Sequence, residues 1–156
     1  MLDPGTIYDS NRPMLLVLTE QSGLMPIDGG WVPDEPEAIA DRLRYMTERA
    51  DLLITSGGAS LGEEDHALAT LEQAGGIGEM LKIALKPGKP AVVGRVGGAA
   101  YLGLPGNPVS SLVCWLLLGR AMICAPWRAG RRAGSLVFLC RADPPSIVAR
   151  SGEARR

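Results

Sequence analysis

Residues 52–65, LLITSGGASLGEED, constrain the fold of this chain more than any other segment. The first four are apolar or β-branched and are followed closely by two glycines, a pattern typical of a buried parallel strand. The glycines allow backbone amides to approach an oxyanion closely, and the segment ends in three consecutive acids. It therefore predicts a strand, then a loop suited to a phosphate group, then a helix.

A second segment, LGLPGNPVSSLV at residues 102–113, repeats the order of apolar strand, small-residue turn and helix. Both turns would follow the carboxyl ends of strands, where ligands bind in open α/β sheets. Two such turns in one small domain predict a single shared site. The first loop has neither the spacing of a Walker A motif nor that of a dinucleotide fingerprint.

The order of helices and strands predicts a three-layer α/β/α domain with a mostly parallel sheet and one antiparallel hairpin. A first helix is capped by Asp9 or Ser10 and stopped by Gly23, and a second fills an acid-rich segment that ends near Ala50. Further helices are expected at 65–74 and 109–125. Strands are expected at 24–28, 52–55, 80–85, 91–94 and 99–103, with a tight turn at 97–98.

Length and composition favour one domain, because the chain has 156 residues of which 46% are hydrophobic. We expect that domain at residues 1–125. Residues 126–156 hold seven arginines but only two acids, and they show no helical period or interleaved aromatic residues. This segment is interpreted as a disordered tail or the remnant of a carboxyl-terminal β domain, with one plausible strand at 135–140.

Several protein classes are not favoured by the composition. The three cysteines are odd in number and lie among apolar neighbours, so neither a disulfide framework nor a metal knuckle is indicated. The arginine-rich segment lacks a pattern for nucleic acid, and no apolar run is long enough to cross a membrane. The chain also opens without a secretory signal. We therefore expect a cytoplasmic protein that binds neither nucleic acid nor membrane.

Three groups of residues are candidates for chemistry. A phosphate cradle is formed by Ser56, Gly57, Gly58, Ser60 and Gly62. Three acids, Glu63, Glu64 and Asp65, follow it, and one of them is a candidate ligand for Mg²⁺, which would let an acid lie beside a phosphate group. The only lysines are Lys82, Lys86 and Lys89, and the second turn contributes Pro105, Gly106, Asn107, Pro108 and Ser110. The alternatives are ordinary turn glycines, acids that complement a helix dipole, and a solvated strand end.

The motifs ITSGGASLGEEDHA, LKIALKPGKP and YLGLPGNPVSSLV, in this order and spacing, resemble the molybdopterin molybdenumtransferases, the MoeA and gephyrin E-domain family. The segments GTIYDSNRPMLLVL and WVPDEPEAI are similar to the same family. The resemblance extends over about residues 4–125. It implies the molybdopterin-binding domain of such an enzyme.

The resemblance also implies an activity, which is insertion of molybdate into adenylylated molybdopterin with Mg²⁺-dependent release of AMP. It matches Asp65, Asp34, Lys82 and Lys86 to functional acids and lysines of the family. The phosphate cradle, Lys89 and the second turn would hold the pterin nucleotide. A homodimer, and contacts with other proteins of cofactor synthesis, are further expectations from the family.

Departures from the family pattern leave two alternatives open. Family members carry a strand ending in a Ser/Thr-Gly-Asp/Glu-Glu segment just before the position of Met1, so we expect a sheet without that first strand. This favours a non-catalytic fragment that binds a pterin nucleotide or a partner. The second alternative is a molybdopterin adenylyltransferase, whose family has a Thr-Thr-Gly-Gly-type loop and lacks the Pro-Gly-Asn-Pro turn.

Overall fold

The computed structural model describes residues 8–57, 64–82, 90–124 and 135–141, with backbone alone at 64–66, 124 and 135–141. The helices are α1 (Asn11–Gln21), α2 (Pro36–Met46), α3 (Glu64–Gln73), α4 (Pro108–Cys114) and α5 (Arg120–Cys124), with a π-helical turn (Trp115–Gly119) between the last two. The strands are β1 (Met25–Val32), β2 (Leu52–Ser56), β3 (Ile77–Leu81), β4 (Ala91–Val96), β5 (Ala99–Leu104) and β6 (Ser135–Arg141).

The six strands form one sheet in the order β1-β6-β2-β5-β4-β3. Strands β1, β6, β2 and β5 are parallel neighbours, whereas β4 is antiparallel to both β3 and β5. Successive residues of β2 face opposite sides of the sheet, since Leu53 packs with α2 and α3 while Leu52 and Ile54 pack with α1 and Trp115. Helices therefore cover both faces, and the predicted three-layer α/β fold is confirmed.

Strand β6 lies between β1 and β2 and is parallel to both. Leu136 of β6 stands opposite Pro26 on one side and Leu52 on the other. The strand predicted at 135–140 is thus present, and it fills an interior position of the sheet. The division into a domain at 1–125 and a tail at 126–156 stays a prediction, although seven residues of that tail contribute a strand to the sheet.

Strand β1 extends four residues beyond its predicted end, because the predicted boundary at Asp28 is a bulge. One extra residue is inserted between Asp28 and Trp31, and Gly30 adopts a φ of +74°. Strand β3 begins at Ile77 instead of residue 80. The predicted hairpin turn is confirmed, with Gly97 at a φ of +56° between β4 and β5.

The last helix predicted from the sequence is present but contains the π-helical turn. Trp115 opens that turn and is only 1% exposed. A Cβ atom at Gly119 would overlap the Trp115 ring, so the glycine leaves the space that the indole occupies. Within the described residues, no helix is both long and apolar enough to cross a membrane.

Candidate functional site

The two glycine-rich turns start from the carboxyl ends of β2 and β5, which lie side by side. Ser56, the last residue of β2, stands opposite Leu104, the last residue of β5. Neighbouring strands lie about 4.8 Å apart, so the turns that follow start next to each other. The structure therefore places the starts of the two turns together, and a single site shared by them stays a prediction.

Asn11, at the start of α1, ties the two turns together. Its Nδ2 atom donates hydrogen bonds to the Ser56 hydroxyl oxygen at 2.6 Å and to the Gly106 carbonyl oxygen at 2.8 Å. Asn11 is only 6% exposed. Asp9 fixes this end of the helix, because its Oδ1 accepts hydrogen bonds from the backbone amides of Asn11 at 3.0 Å and Arg12 at 3.1 Å.

The second turn is held by its own polar groups. Asn107 has an extended backbone, as the residue before a proline favours, and its Oδ1 accepts a hydrogen bond from the Ser110 amide at 3.1 Å. The buried Ser111 hydroxyl donates to the Pro105 carbonyl oxygen. The turn is thus fixed from both sides before any ligand binds.

Two further predicted residues lie at the same edge of the sheet but far apart along it. Asp34 follows β1 and is half-buried, whereas Lys82 follows β3 and is exposed. Five strand spacings separate β1 from β3, which places these positions about 24 Å apart. A single small anion cannot contact both, and only an elongated ligand could reach from one to the other.

The remaining predicted residues lie partly outside the described residues. Gly57 is described and has a φ of +88°, which is the left-handed backbone that favours glycine. Asp65 is the second residue of α3, where the structure describes only its backbone. Five other predicted residues lie outside the described residues altogether: Gly58, Ser60, Gly62, Lys86 and Lys89.

A buried hydroxyl pair lies beneath the edge, on the face covered by α2 and α3. The hydroxyl groups of Thr55 and Tyr101 form a hydrogen bond of 2.8 Å between β2 and β5. A Cβ atom at Gly103 would come within 3.0 Å of the Tyr101 hydroxyl, so this glycine leaves room for the phenol. Burial raises the pKa of Tyr101 above its ordinary value of 10.0, and the hydrogen bond to Thr55 opposes the shift.

On the opposite face of the sheet, an ion pair anchors α1 to the bulge of β1. Arg12 Nε donates to Asp28 Oδ1 at 2.8 Å, and the Gly30 amide donates to the same oxygen at 2.9 Å. The hydrogen bond from Arg12 lowers the pKa of Asp28 below its ordinary value of 3.8, with burial acting in the opposite direction. The bulge therefore orients the carboxylate toward the start of the helix.

Among the described residues at this edge, the atoms best suited to coordinate a metal ion are oxygens. In the part of the chain that is described, no three acidic, histidine or cysteine side chains come close enough to hold a metal ion. Hydroxyl and amide oxygens such as those of Ser56 and Asn11 suit hard cations, and Mg²⁺ commonly uses only one or two protein carboxylates. That Asp65 holds Mg²⁺ stays a prediction, because the structure describes only the backbone of this residue.

Asn11 was not among the residues predicted from the sequence, although a signal for it exists. It lies four residues before Leu15 and eight before Thr19, and all three are buried on the same face of α1. An amide side chain on the buried face of a helix is expected to have a specific hydrogen-bond partner. Its partners come from β2 and from the turn after β5, which local pattern does not reveal.

Comparisons with known proteins agree on one family. Residues 1–124 match the family described as "Probable molybdopterin binding domain". Over 122 residues the chain is 43% identical to a molybdopterin molybdenumtransferase of Haemophilus influenzae, an alignment that covers 78% of this chain and 30% of that protein. It is 34% identical over 116 residues to the molybdenum cofactor synthesis protein cinnamon of Drosophila melanogaster, covering 74% of this chain and 19% of that one.

A solved structure gives the same result. The molybdopterin biosynthesis MoeA protein from Pyrococcus horikosii superposes with a TM-score of 0.63 at 32% sequence identity, over 76% of this chain and 29% of that chain. The chain thus spans less than a third of the length of these relatives. The chain therefore belongs to the family of probable molybdopterin binding domains and is of the MoeA type.

Proposed function

We propose that this chain provides the nucleotide site for insertion of molybdate into adenylylated molybdopterin, with release of AMP, in molybdenum cofactor biosynthesis. The observation that carries the proposal is the junction at the carboxyl edge, where Asn11 joins Ser56 of the first turn to Gly106 of the second. Relatives named molybdopterin molybdenumtransferase support the same reaction.

The proposed substrate suits the shape and chemistry of the edge. Adenylylated molybdopterin is elongated and has a phosphoanhydride between two heterocycles, and the row of strand ends is itself long. The glycine loop after Ser56 would offer backbone amides to phosphate oxygens, since Gly57 already has the backbone conformation of such a turn. The second turn, from Pro105 to Ser110, would hold another part of the same ligand.

Charged residues along the edge would then act on the phosphoanhydride and on molybdate. Lys82 and Lys86 would neutralise oxyanions as point charges, and Lys89 would contact the nucleotide. Asp65 would hold Mg²⁺, which would supply charge neutralisation to a phosphate-bearing ligand. Asp34, at the other end of the row, would act as a second functional acid.

The proposal includes a homodimer, a cytoplasmic location and contacts with other proteins of cofactor synthesis. A non-catalytic role is the second candidate. In that case the chain would bind the pterin nucleotide, or a partner, without turnover. Adenylyl transfer from ATP is less well supported, since the Pro105–Pro108 turn distinguishes this chain from the adenylyltransferase pattern.

An assay of AMP release separates these functions. The chain is mixed with adenylylated molybdopterin, molybdate and Mg²⁺, and AMP and molybdenum cofactor are measured over time. We expect molybdate-dependent AMP release that falls at least about tenfold in Asp65→Asn, with the exposed Glu20→Gln as a control. Binding without AMP release would support the non-catalytic role. A parallel reaction with molybdopterin, ATP and Mg²⁺ tests the adenylyltransferase, which formation of adenylylated molybdopterin would support.

A further inference from the structure

The amide of Asn11 has a defined orientation. A carbonyl oxygen can only accept hydrogen bonds, so the atom 2.8 Å from the Gly106 oxygen must be Nδ2 and not Oδ1. The second hydrogen of Nδ2 is then directed to the Ser56 hydroxyl oxygen at 2.6 Å. Both donor positions of this side chain are therefore used to join β2 to the turn after β5.

This orientation determines what Ser56 can do. Because its hydroxyl oxygen accepts from Asn11, the hydroxyl hydrogen remains able to donate to another group. Ser56 ends β2 directly before Gly57, whose φ of +88° begins the glycine loop. The hydroxyl is thus a donor at the point where a phosphate oxygen would meet the loop.

The other end of the Asn11 amide is also informative. Its Oδ1 is buried and has no hydrogen-bond partner among the described residues. A buried acceptor without a partner destabilises a fold. What distinguishes Asn11 is the pair of hydrogen bonds that its Nδ2 donates, which join β2 to the turn after β5.

We propose that Asn11 is a positioning residue for a phosphate-bearing nucleotide, acting through Ser56 and Gly106. It keeps the Ser56 hydroxyl as a donor toward the phosphate and holds the second turn at the distance that one ligand can bridge. This inference deepens the proposed function and rests on it. It assigns a role to α1, an element that supplies none of the predicted binding residues.

The test measures binding of AMP and of pyrophosphate to the full chain by calorimetry. We expect Asn11→Ala and Ser56→Ala to weaken binding of both probes at least about tenfold. The control is Thr19→Val on the same helix. It removes a buried hydroxyl that has no hydrogen-bond partner in the described part of the chain, and it should leave affinity within about twofold. Thermal unfolding of each variant establishes that it is folded at the assay temperature.

A second variant, Asn11→Asp, replaces the amide donors with a titratable carboxyl group at nearly constant shape. At neutral pH the introduced carboxylate would face the Gly106 carbonyl oxygen and could not donate to it. Burial beside that oxygen should raise the pKa of the introduced carboxyl, which would donate once protonated. We therefore expect its affinity, relative to wild type at the same pH, to recover as the pH falls toward about 5, whereas Asn11→Ala should not recover.

Neighbouring ionisable groups do not alter the comparison of Asn11→Asp with wild type at the same pH. Asp9 lies just before α1 and Arg12 follows Asn11 on it. Arg12 pairs with Asp28, and all three groups are present in wild type and variants alike. No residue of β2 carries a charge, and on β5 the sole ionisable side chain, Tyr101, faces the opposite side of the sheet. The ratio of affinities at each pH therefore reports the introduced carboxyl.

The outcomes separate the inference from the function on which it rests. Weak binding by folded Asn11→Ala, together with recovery of Asn11→Asp in acid, supports the inference. Wild-type affinity in folded Asn11→Ala, or no difference in pH response between the two variants, would overturn it while leaving the proposed function intact. If wild type binds neither AMP nor pyrophosphate, both the nucleotide site and the role of Asn11 are wrong.

Discussion

The hydroxyl groups of Thr55 and Tyr101 lie 2.8 Å apart, buried between β2 and β5 just beneath the edge that carries the candidate site. Thr55 is 8% exposed and Tyr101 is 3% exposed, so each hydroxyl depends on the other for its hydrogen bond. The pair joins the strands from which the two glycine-rich turns extend. It should therefore contribute to both stability and the geometry of the edge.

Tyr101→Phe is expected to lower the free energy of unfolding by about 1–2 kcal/mol, because it leaves the Thr55 hydroxyl buried without a partner. Adding Thr55→Val should recover part of that loss, since two apolar groups need no partner. Urea denaturation measures both effects. Tyr45→Phe is the matched control, because Tyr45 is 51% exposed and its hydroxyl should contribute less than about 0.5 kcal/mol.

The raised pKa of Tyr101 predicts a dependence on alkaline pH. Burial favours the protonated phenol in the folded state, so its contribution is fully present below the ordinary pKa of 10.0 and is lost as pH rises through the higher folded pKa. Wild type should thus lose stability above about pH 10 more steeply than Tyr101→Phe. Equal slopes in denaturation curves measured between neutral and alkaline pH would show that the phenol does not titrate with unfolding.

The ion pair between Arg12 and Asp28 predicts an effect at acid pH. Because the pKa of Asp28 is lowered, its contribution is present above 3.8 and is lost as pH falls through the folded pKa. Both side chains are partly exposed, so Asp28→Asn should cost less than about 1 kcal/mol at neutral pH. The difference from wild type should vanish in acid and shrink in 1 M salt.

A matched control for that pair is Asp41→Asn. Asp41 pairs with Arg44 within one helix, and its side chain is 67% exposed. Such a pair contributes a few tenths of a kcal/mol at most. If Asp41→Asn destabilised the chain as much as Asp28→Asn, the link between α1 and the β1 bulge would have no special role.

The interior position of β6 predicts that its backbone hydrogen bonds are essential. Val137 stands opposite both Ile27 and Leu53, so Val137→Pro should disrupt pairing and destabilise the chain by more than about 2 kcal/mol. Val137→Ala retains the backbone donor, and the difference between the two variants isolates the strand pairing. Equal free energies of unfolding would mean that β6 does not pair as an interior strand.

Much of the fold could be predicted from local pattern. The apolar run before Gly57 indicated β2, and the Gly97-Gly98 doublet indicated the hairpin, because both signals lie in adjacent residues. The end of β1 was wrong because glycines at 29–30 resemble a turn, whereas they form a bulge inside a strand. Ile77 was missed because it is an exposed strand residue that precedes a glycine.

The non-local features could not be predicted in this way. Nothing near Ser135 specifies that β6 pairs between two strands more than eighty residues earlier in the chain. Asn11 likewise acquires its role from Ser56 and Gly106, which lie 45 and 95 residues away. The motifs indicated which turns could bind a ligand, and the parallel register of β2 and β5 explains why they lie together.

In the proposed function, the two turns form one site for a pterin nucleotide. Hydrogen exchange of the full chain, measured with and without saturating adenylylated molybdopterin, tests whether both turns contact the ligand. We predict slower exchange on binding in both segments at once, residues 56–66 and residues 102–112, with little change in β3 and β4 away from the edge. Saturable binding that protects only one of the two segments, or neither, would contradict the claim.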